Sequence, residues 1–243
     1  MFIDGQSWER MTPRLAAMRQ LIVVDGPGHG RSDPLRRLGT VDECAAVAVE
    51  ILNALGIVGR VDWLGNAWGG HVGLAVALQA PERLRSLVAI SAPPAAIDGD
   101  LKKKIRLLAP LMKIVGFRGP VLEGVLASQL ADASRESPAV MDRMREMLDR
   151  ARPSSVARAV RSFILDRTDV RSKLSQIRAP TLYVATDDRG EFGPEQARDA
   201  VSRTPDARHA VVVGARTLAP LEQPDQLVDA VLAFWRDTVG ESQ

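Results

Sequence analysis

The chain has 243 residues, of which 46% are hydrophobic and 26% charged, a balance typical of one folded domain with or without a smaller inserted unit. Its 32 basic and 30 acidic residues nearly cancel, and with 4% aromatic residues they exclude the basic, aromatic-rich surface of a nucleic-acid-binding protein. The single cysteine excludes an internal disulfide, and no apolar run approaches the roughly 18–20 residues of a membrane span. No secretion signal is recognised either. We therefore expect a cytoplasmic protein with neither a nucleic-acid nor a membrane partner.

Strands and helices alternate over the first ninety residues. Short apolar runs bounded by glycine and proline predict buried strands at residues 21–24, 61–64 and 87–90. Apolar residues at helical spacing predict helices at 44–55 and 68–79, the second of them buried because it has no polar face. Such an alternation is typical of a mostly parallel sheet with helices on both faces, which is an α/β fold.

The pattern changes in the middle of the chain. From about residue 95 to 177 only helical periods occur, which predicts a helical cap inserted between two strands. The alternation then resumes, with strands at 181–184 and 210–213 and helices at 194–202 and 225–235. We therefore predict a core, residues 1–94 and 178–243, with about five parallel strands, and a cap or lid, residues 95–177.

Three segments in this order resemble the α/β-hydrolase superfamily, specifically its members with a helical lid. The first, Asp25 to Ser32 (DGPGHGRS), is similar to the family's D-x-P-G-x-G-x-S turn. The second, Gly65 to Gly70 (GNAWGG), stands in the place of the G-x-S-x-G nucleophile elbow. The third, Leu218 to Pro224 (LAPLEQP), is similar to the E-x-P segment that follows the family's catalytic histidine. The resemblance runs from about Trp8 to Trp235 and implies the α/β-hydrolase fold.

The resemblance also locates three catalytic positions, two of which hold unsuitable side chains. The nucleophile slot is Ala67, and a methyl group cannot attack a carbonyl. The base slot is Thr217, and a threonine hydroxyl is no general base near neutral pH. Asp188 fits the acid slot, with Asp187 one residue away. The sequence thus predicts a pseudoenzyme with a degenerate catalytic triad, for which conventional serine-hydrolase chemistry is not expected.

Other parts of the elbow remain suited to binding. The backbone N–H of Trp68 would point at a developing or bound oxyanion, because it opens a helix. Asn66 and His71 are the other candidate ligand-binding residues around this turn. His71 lies one helical turn below Ala67, where a packed core histidine is favoured over a displaced base.

Hydroxyls and histidines elsewhere leave the chemistry open. Ser32 and Ser91 are the hydroxyls nearest the elbow in the family's layout; each is either structural or a substitute nucleophile. His29 belongs to the first turn and is expected to hold it. The three histidines are widely spaced, so we predict no metal site and no cofactor.

The beginning of the chain departs from the family. About three strands precede the Asp25 turn's own strand in the family, whereas here Met1 already approaches the first helix, expected from Trp8 to Met18. The third of those strands would lie in the sheet between the strands that end at Asp25 and Gly65. Without it, the backbone N–H and C=O groups of both neighbouring strands would lack hydrogen-bond partners. Two explanations of the missing strand remain. Either the start codon is assigned too late, or the strand is lost and the two neighbouring strands pair directly; the first is favoured.

Three functions are consistent with these residues. The first is non-hydrolytic binding of a small apolar or carbonyl-containing molecule between the sheet and the lid. The second is an active enzyme of the superfamily, an ester or C–C hydrolase, lyase or cyclase, that works by positioning and an oxyanion site without the triad. The third is an interaction subunit whose sheet edge pairs with another chain. That chain could be a second copy, so a homo-oligomer is one of the alternatives.

Overall fold

A single parallel sheet forms the centre of the molecule. The computed structural model describes residues 2–239, without the side chains at 108 and 239. The strands are β1 (Val61–Asn66), β2 (Leu84–Ile90), β3 (Thr181–Thr186) and β4 (Ala207–Val212), and their order in the sheet is their order in the sequence. All neighbouring pairs are parallel. The carboxyl ends of the four strands therefore lie at one edge, where ligands bind in open α/β sheets.

Helices cover both faces of this sheet, as predicted. One face carries α2 (Val41–Ala54), α3 (Trp68–Gln79) and α9 (Pro194–Arg203), whose apolar side chains share a buried cluster with β2 and β3. The other face carries α1 (Thr12–Ala16) and α11 (Pro224–Val239). Short 3₁₀ turns lie at Gly5–Trp8, Pro81–Arg83 and Arg171–Gln176, and α10 (Ala219–Glu222) precedes α11.

A run of helices separates β2 from β3, and we call residues 99–165 the helical insertion. It contains α4 (Gly99–Val115), α5 (Gly119–Gln129), α6 (Asp132–Arg135), α7 (Pro138–Arg150), α8 (Pro153–Val160) and a π-helical turn (Arg161–Leu165). Met144, Met147 and Phe163 lie at the centre of its own apolar cluster, which Leu218 and Leu221 of the core join. The residue limits of the core and cap stay a prediction.

The predicted strand at residues 21–24 is wrong. This segment has no regular secondary structure, and the side chains of Ile22, Val23 and Val24 are 45–57% exposed. An apolar β-branched run becomes a strand only beside a pairing partner, and in the part of the chain described here β1 forms its ladder with β2 alone. The sheet therefore has four strands among the described residues, against the five expected.

The segment is nevertheless held at both ends, by β1 at its start and by α3 at its end. At its start, Arg19 Nε lies 2.9 Å from Oδ2 of Asp62 on β1. At its end, Gly26 packs so closely against the Trp68 ring that a Cβ there would overlap it. Contacts to β1 and to α3 therefore hold the two ends of the segment, although it joins no ladder.

This anchoring generates a first prediction. The Asp62 side chain is only 5% exposed and accepts hydrogen bonds from Arg19, Arg85 and the Ser86 hydroxyl. We expect Asp62→Asn to lower the free energy of unfolding by about 2 kcal/mol, because an amide cannot accept from all three donors. Denaturant unfolding measures this. The control Asp237→Asn removes an exposed ion pair and should change stability by less than about 0.5 kcal/mol; equal effects would mean that the buried carboxylate anchors nothing.

Candidate functional site

The sharp turn between β1 and α3 is the centre of the candidate site. Ala67 occupies it with φ 47° and ψ −110°, a conformation that favours glycine and costs other residues about 1–3 kcal/mol. Its N–H donates to the carbonyl of Ile90 at 2.7 Å, and its carbonyl accepts from the N–H of His71 at 3.0 Å. The backbone geometry of a nucleophile elbow is thus present around a methyl side chain.

Glycines on either side of this turn allow the close approach of helix and sheet. A Cβ on Gly65 would overlap the backbone of Gly69, and a Cβ on Gly70 would lie 2.5 Å from Cβ of Ala92. The similarity of this segment to the G-x-S-x-G motif therefore reflects backbone packing that the fold needs whether or not the turn carries a nucleophile.

The strain at Ala67 can be measured. We expect Ala67→Gly to raise the free energy of unfolding by about 1 kcal/mol, because relief of the strained φ exceeds the greater chain entropy of glycine. The matched control is Ala46→Gly at an exposed position within α2, which should lower stability by about 1 kcal/mol. The denaturant midpoints of both variants measure these changes in stability. A lower stability of Ala67→Gly than of the wild type would show that the turn is unstrained.

The Trp68 side chain packs between the Asp25–Ser32 turn and the helical insertion. Its indole stacks on Phe163 of the helical insertion, with ring centroids 4.7 Å apart and planes at 16°. The His29 ring lies on another side at 6.0 Å, and Gly26 contacts the six-membered ring. The sequence assigned Trp68 only a backbone role, whereas its side chain joins the insertion to the core.

The Asp25–Ser32 turn is held by its own hydrogen bonds. The Ser32 hydroxyl donates to the carbonyl of Asp25 at 2.6 Å, so Ser32 is structural here. His29 Nδ1 lies 3.2 Å from the carbonyl of Pro27 and donates to it, and the side chain is 97% buried. Burial lowers the pKa of His29 from its ordinary value of 6.5 to about 4, so the ring is neutral and weakly basic near neutral pH.

The buried His29 predicts a pH dependence of stability. Between pH 6.5 and 4 the unfolded chain gains a proton on this ring and the folded chain does not, so stability falls as the pH falls through that window, by about 3 kcal/mol in total. In His29→Gln the loss of unfolding free energy between pH 7 and pH 4.5 should be smaller by roughly this amount. His209→Gln, at an exposed histidine, should follow the wild-type curve. Identical pH profiles for His29→Gln and the wild type would contradict the assignment.

His71 lies buried beneath the turn and bonds to a cation. Its Nε2 is 3.2 Å from Nη1 of Arg167, and since a guanidinium only donates, this nitrogen accepts. Burial, followed by the charge of Arg167, lowers the pKa of His71 well below 6.5. Arg167 also donates to the carbonyl of Ala95 and lies 3.4 Å from Glu191. The lone pair that a displaced base would use is therefore already occupied.

Asp188 and Thr217, the two other predicted triad positions, bond to other groups. Asp188 accepts from Arg216 at 2.9 Å and from Arg189 at 3.0 Å. The Thr217 hydroxyl donates to the carbonyl of Ser128 in α5 at 3.2 Å. The structure thus places a guanidinium beside the acid slot and directs Thr217 to the helical insertion.

Arg216 was missed by the sequence reading. Its side chain is 8% exposed and donates to the carbonyl of Ala127, to Asp132 at 3.3 Å and to both the carbonyl and the carboxylate of Asp188. The only sign of its role is that it is a charged residue in the largely buried Ala215–Leu218 segment. Its partners in the insertion lie more than eighty residues away in the sequence, so a local pattern could not reveal them.

Several buried polar atoms near the turn have no hydrogen-bond partner among the described residues. They are Oδ1 of Asn66, Nε1 of Trp68, Nε2 of His29, and the hydroxyls of Ser91 and Ser155. Ser91 follows the residue that accepts from Ala67, and it has a positive φ of 47°. Ser155 approaches Gly28 of the Asp25–Ser32 turn. Together these atoms offer donors and acceptors to a bound molecule, and buried polar groups of this kind are normally satisfied.

The described residues contain neither a metal-binding group nor a membrane-spanning helix, and their surface clefts lie away from the turn. No group of three or more histidine, cysteine or acidic side chains there has the arrangement of a metal site. No helix in the same residues is both long and apolar enough to cross a bilayer. Two surface clefts, of about 620 and 190 Å³, lie at the opposite, amino end of the sheet and involve none of the candidate residues.

Comparison with known proteins agrees with this geometry. Residues 4–224 match the family model described as the alpha/beta hydrolase fold, so the chain belongs to the α/β-hydrolase family. A curated relative, the dihydrolipoyllysine-residue acetyltransferase component of an acetoin cleaving system from Pseudomonas putida, is 29% identical over 96% of this chain, which spans only 60% of that relative. A pimeloyl-[acyl-carrier protein] methyl ester esterase from Pectobacterium carotovorum is 27% identical over 96% of this chain and 90% of its own.

A solved structure agrees as well. A thermophilic esterase from Thermogutta terrifontis superposes with a TM-score of 0.86 at 24% identity, covering 97% of this chain and 86% of that one. This similarity shows the fold. The prediction of an α/β-hydrolase fold is therefore confirmed, whereas the degenerate triad stays a prediction about chemistry.

Proposed function

We propose that this α/β-hydrolase-family protein binds a small, mostly apolar molecule with a carbonyl or carboxylate group and does not hydrolyse it. The observation that carries the proposal is Ala67, a methyl side chain held in the elbow conformation of the family. A turn of this kind keeps the first N–H groups of α3, beginning with Trp68, free to bind an oxygen atom. It supplies no atom that could attack one.

The surroundings of the turn support an apolar ligand with one polar end. Trp68 and Phe163 form a stacked aromatic pair beside the turn, while Asn66 and Ser91, at the carboxyl ends of β1 and β2, hold polar atoms without a partner among the described residues. The Pectobacterium relative is named for a methyl ester, which also favours a carbonyl-containing ligand. Because the indole of Trp68 is stacked on Phe163 next to the turn, we expect the ligand to displace it from Phe163 on entry.

This displacement makes Trp68 a reporter of binding. We expect octanoate and methyl octanoate to change the intrinsic fluorescence with saturation, because the environment of the indole changes. The change should disappear in Trp68→Phe and persist in Trp8→Phe, a control at another half-buried tryptophan packed on the opposite face of the sheet. A signal that survives Trp68→Phe would place binding elsewhere, and no saturable signal with either probe would count against an apolar carbonyl ligand at the turn.

Hydrolysis is tested separately with p-nitrophenyl butyrate. Turnover by the wild-type chain should stay at the buffer rate, and Ala67→Ser should gain none. The new hydroxyl would lack an available base, since His71 accepts from Arg167 and Asp188 from Arg216. Turnover by the wild type would refute the non-hydrolytic proposal, and a gain in Ala67→Ser would show that a functional base is within reach.

A second candidate, an enzyme that does not use the triad, rests on Ser91. This residue combines a positive φ with a buried hydroxyl that has no partner in the described part of the chain, a combination that occurs at functional sites. If the wild type shows turnover, Ser91→Ala should abolish it under this hypothesis. Turnover that survives Ser91→Ala would exclude Ser91 as the nucleophile.

A further inference from the structure

Among the described side chains of α4, apolar residues lie on two faces of the helix, an inner face that is buried and an outer face that is largely exposed. The inner face contributes Ala109 and Met112 to the apolar cluster of the insertion. The outer face carries Leu107, Leu111 and Ile114 at spacings of four and three residues, which align them in one stripe. Leu107 is 79% exposed and Ile114 81% exposed, so the ends of the stripe lie almost fully in solvent.

The same helix concentrates the positive charge of the chain. Its cations are Lys102, Lys103, Lys104, Arg106 and Lys113, which include four of the five lysines of the whole sequence. Against them stand Asp98 and Asp100, of which Asp100 pairs with Lys103. Residues 98–115 therefore carry a net charge of +3, more than the +2 of the entire chain.

We propose that α4 docks on an anionic lipid surface, with the outer stripe inserted at the interface. A helix with an exposed apolar stripe, flanking lysines and a length too short to span a bilayer is suited to lie in the plane of the headgroups. Lysine stems cover apolar surface while their ammonium groups reach the phosphates. The proposal departs from the sequence-based expectation of no membrane partner, because the sequence alone did not show that the stripe faces outward.

Charge favours lipid over a second copy of the chain as the occupant. A symmetric dimer through the stripe would set the +3 segments of both copies against each other, and like charges across an interface oppose association. Phosphatidylglycerol headgroups supply the complementary sign.

Co-sedimentation with vesicles tests the proposal on the full chain. We expect binding to vesicles of phosphatidylcholine and phosphatidylglycerol at a ratio of 7:3 in low salt, loss of binding in high salt, and little binding to phosphatidylcholine alone. Leu107→Ser/Ile114→Ser should lower the partition coefficient at least about tenfold, and Lys104→Gln/Lys113→Gln about tenfold. Val58→Ser, at a residue 90% exposed and outside the insertion, is the matched control and should bind like the wild type.

Three outcomes would overturn the proposal. The first is no binding of the wild type to the anionic vesicles in low salt. The second is equal binding by the wild type and Leu107→Ser/Ile114→Ser, when both have the same thermal unfolding midpoint. The third is a dimer in size-exclusion chromatography that this double variant dissociates, without vesicle binding, which would assign the stripe to a second copy.

Discussion

The close approach of α3 to the sheet is the constraint on which the rest of the structure depends. It requires a helix to begin one residue after β1 ends, and Ala67 meets this requirement in a conformation that alanine disfavours. The approach in turn fixes Gly65 and Gly70, since a Cβ on either would collide with backbone or with Ala92. The turn is thus required by the packing of the fold, and its geometry does not by itself identify a reaction.

A second consequence concerns how the helical insertion is attached. Arg216 and Glu222 flank the loop after β4, and both reach into the insertion. Arg216 donates to Ala127 and Asp132, while Glu222 accepts from the backbone N–H of Ala131 at 2.6 Å. Burial raises the pKa of Glu222, and the N–H groups that it accepts from oppose that shift. The segment after β4 therefore ties the helical insertion to the sheet.

The sequence predicted the parts of the fold that depend on local pattern. The strands near residues 61, 87 and 181 and the buried helix at 68–79 follow from short apolar runs and glycine boundaries. The strand at 21–24 failed because pairing depends on a neighbour that a local pattern cannot reveal. The cations of the site were missed for the same reason: Arg167 meets His71 across 96 positions, and Arg216 meets Asp132 across 84.

The distribution of hydrogen bonds at the site separates proton transfer from binding. The predicted proton carriers already have partners, since His71 accepts from Arg167 and Asp188 from two guanidinium groups. His29 retains a lone pair, but with a pKa of about 4 it is a weak base near neutral pH. The other atoms near the turn that have no partner among the described residues are an amide oxygen, an indole N–H and serine hydroxyls, groups that donate or accept hydrogen bonds but are not bases near neutral pH. Catalysis of acyl transfer needs a nucleophile paired with a base, while binding needs only directed donors and acceptors, so this arrangement is consistent with the proposal of a site that holds a molecule without cleaving it.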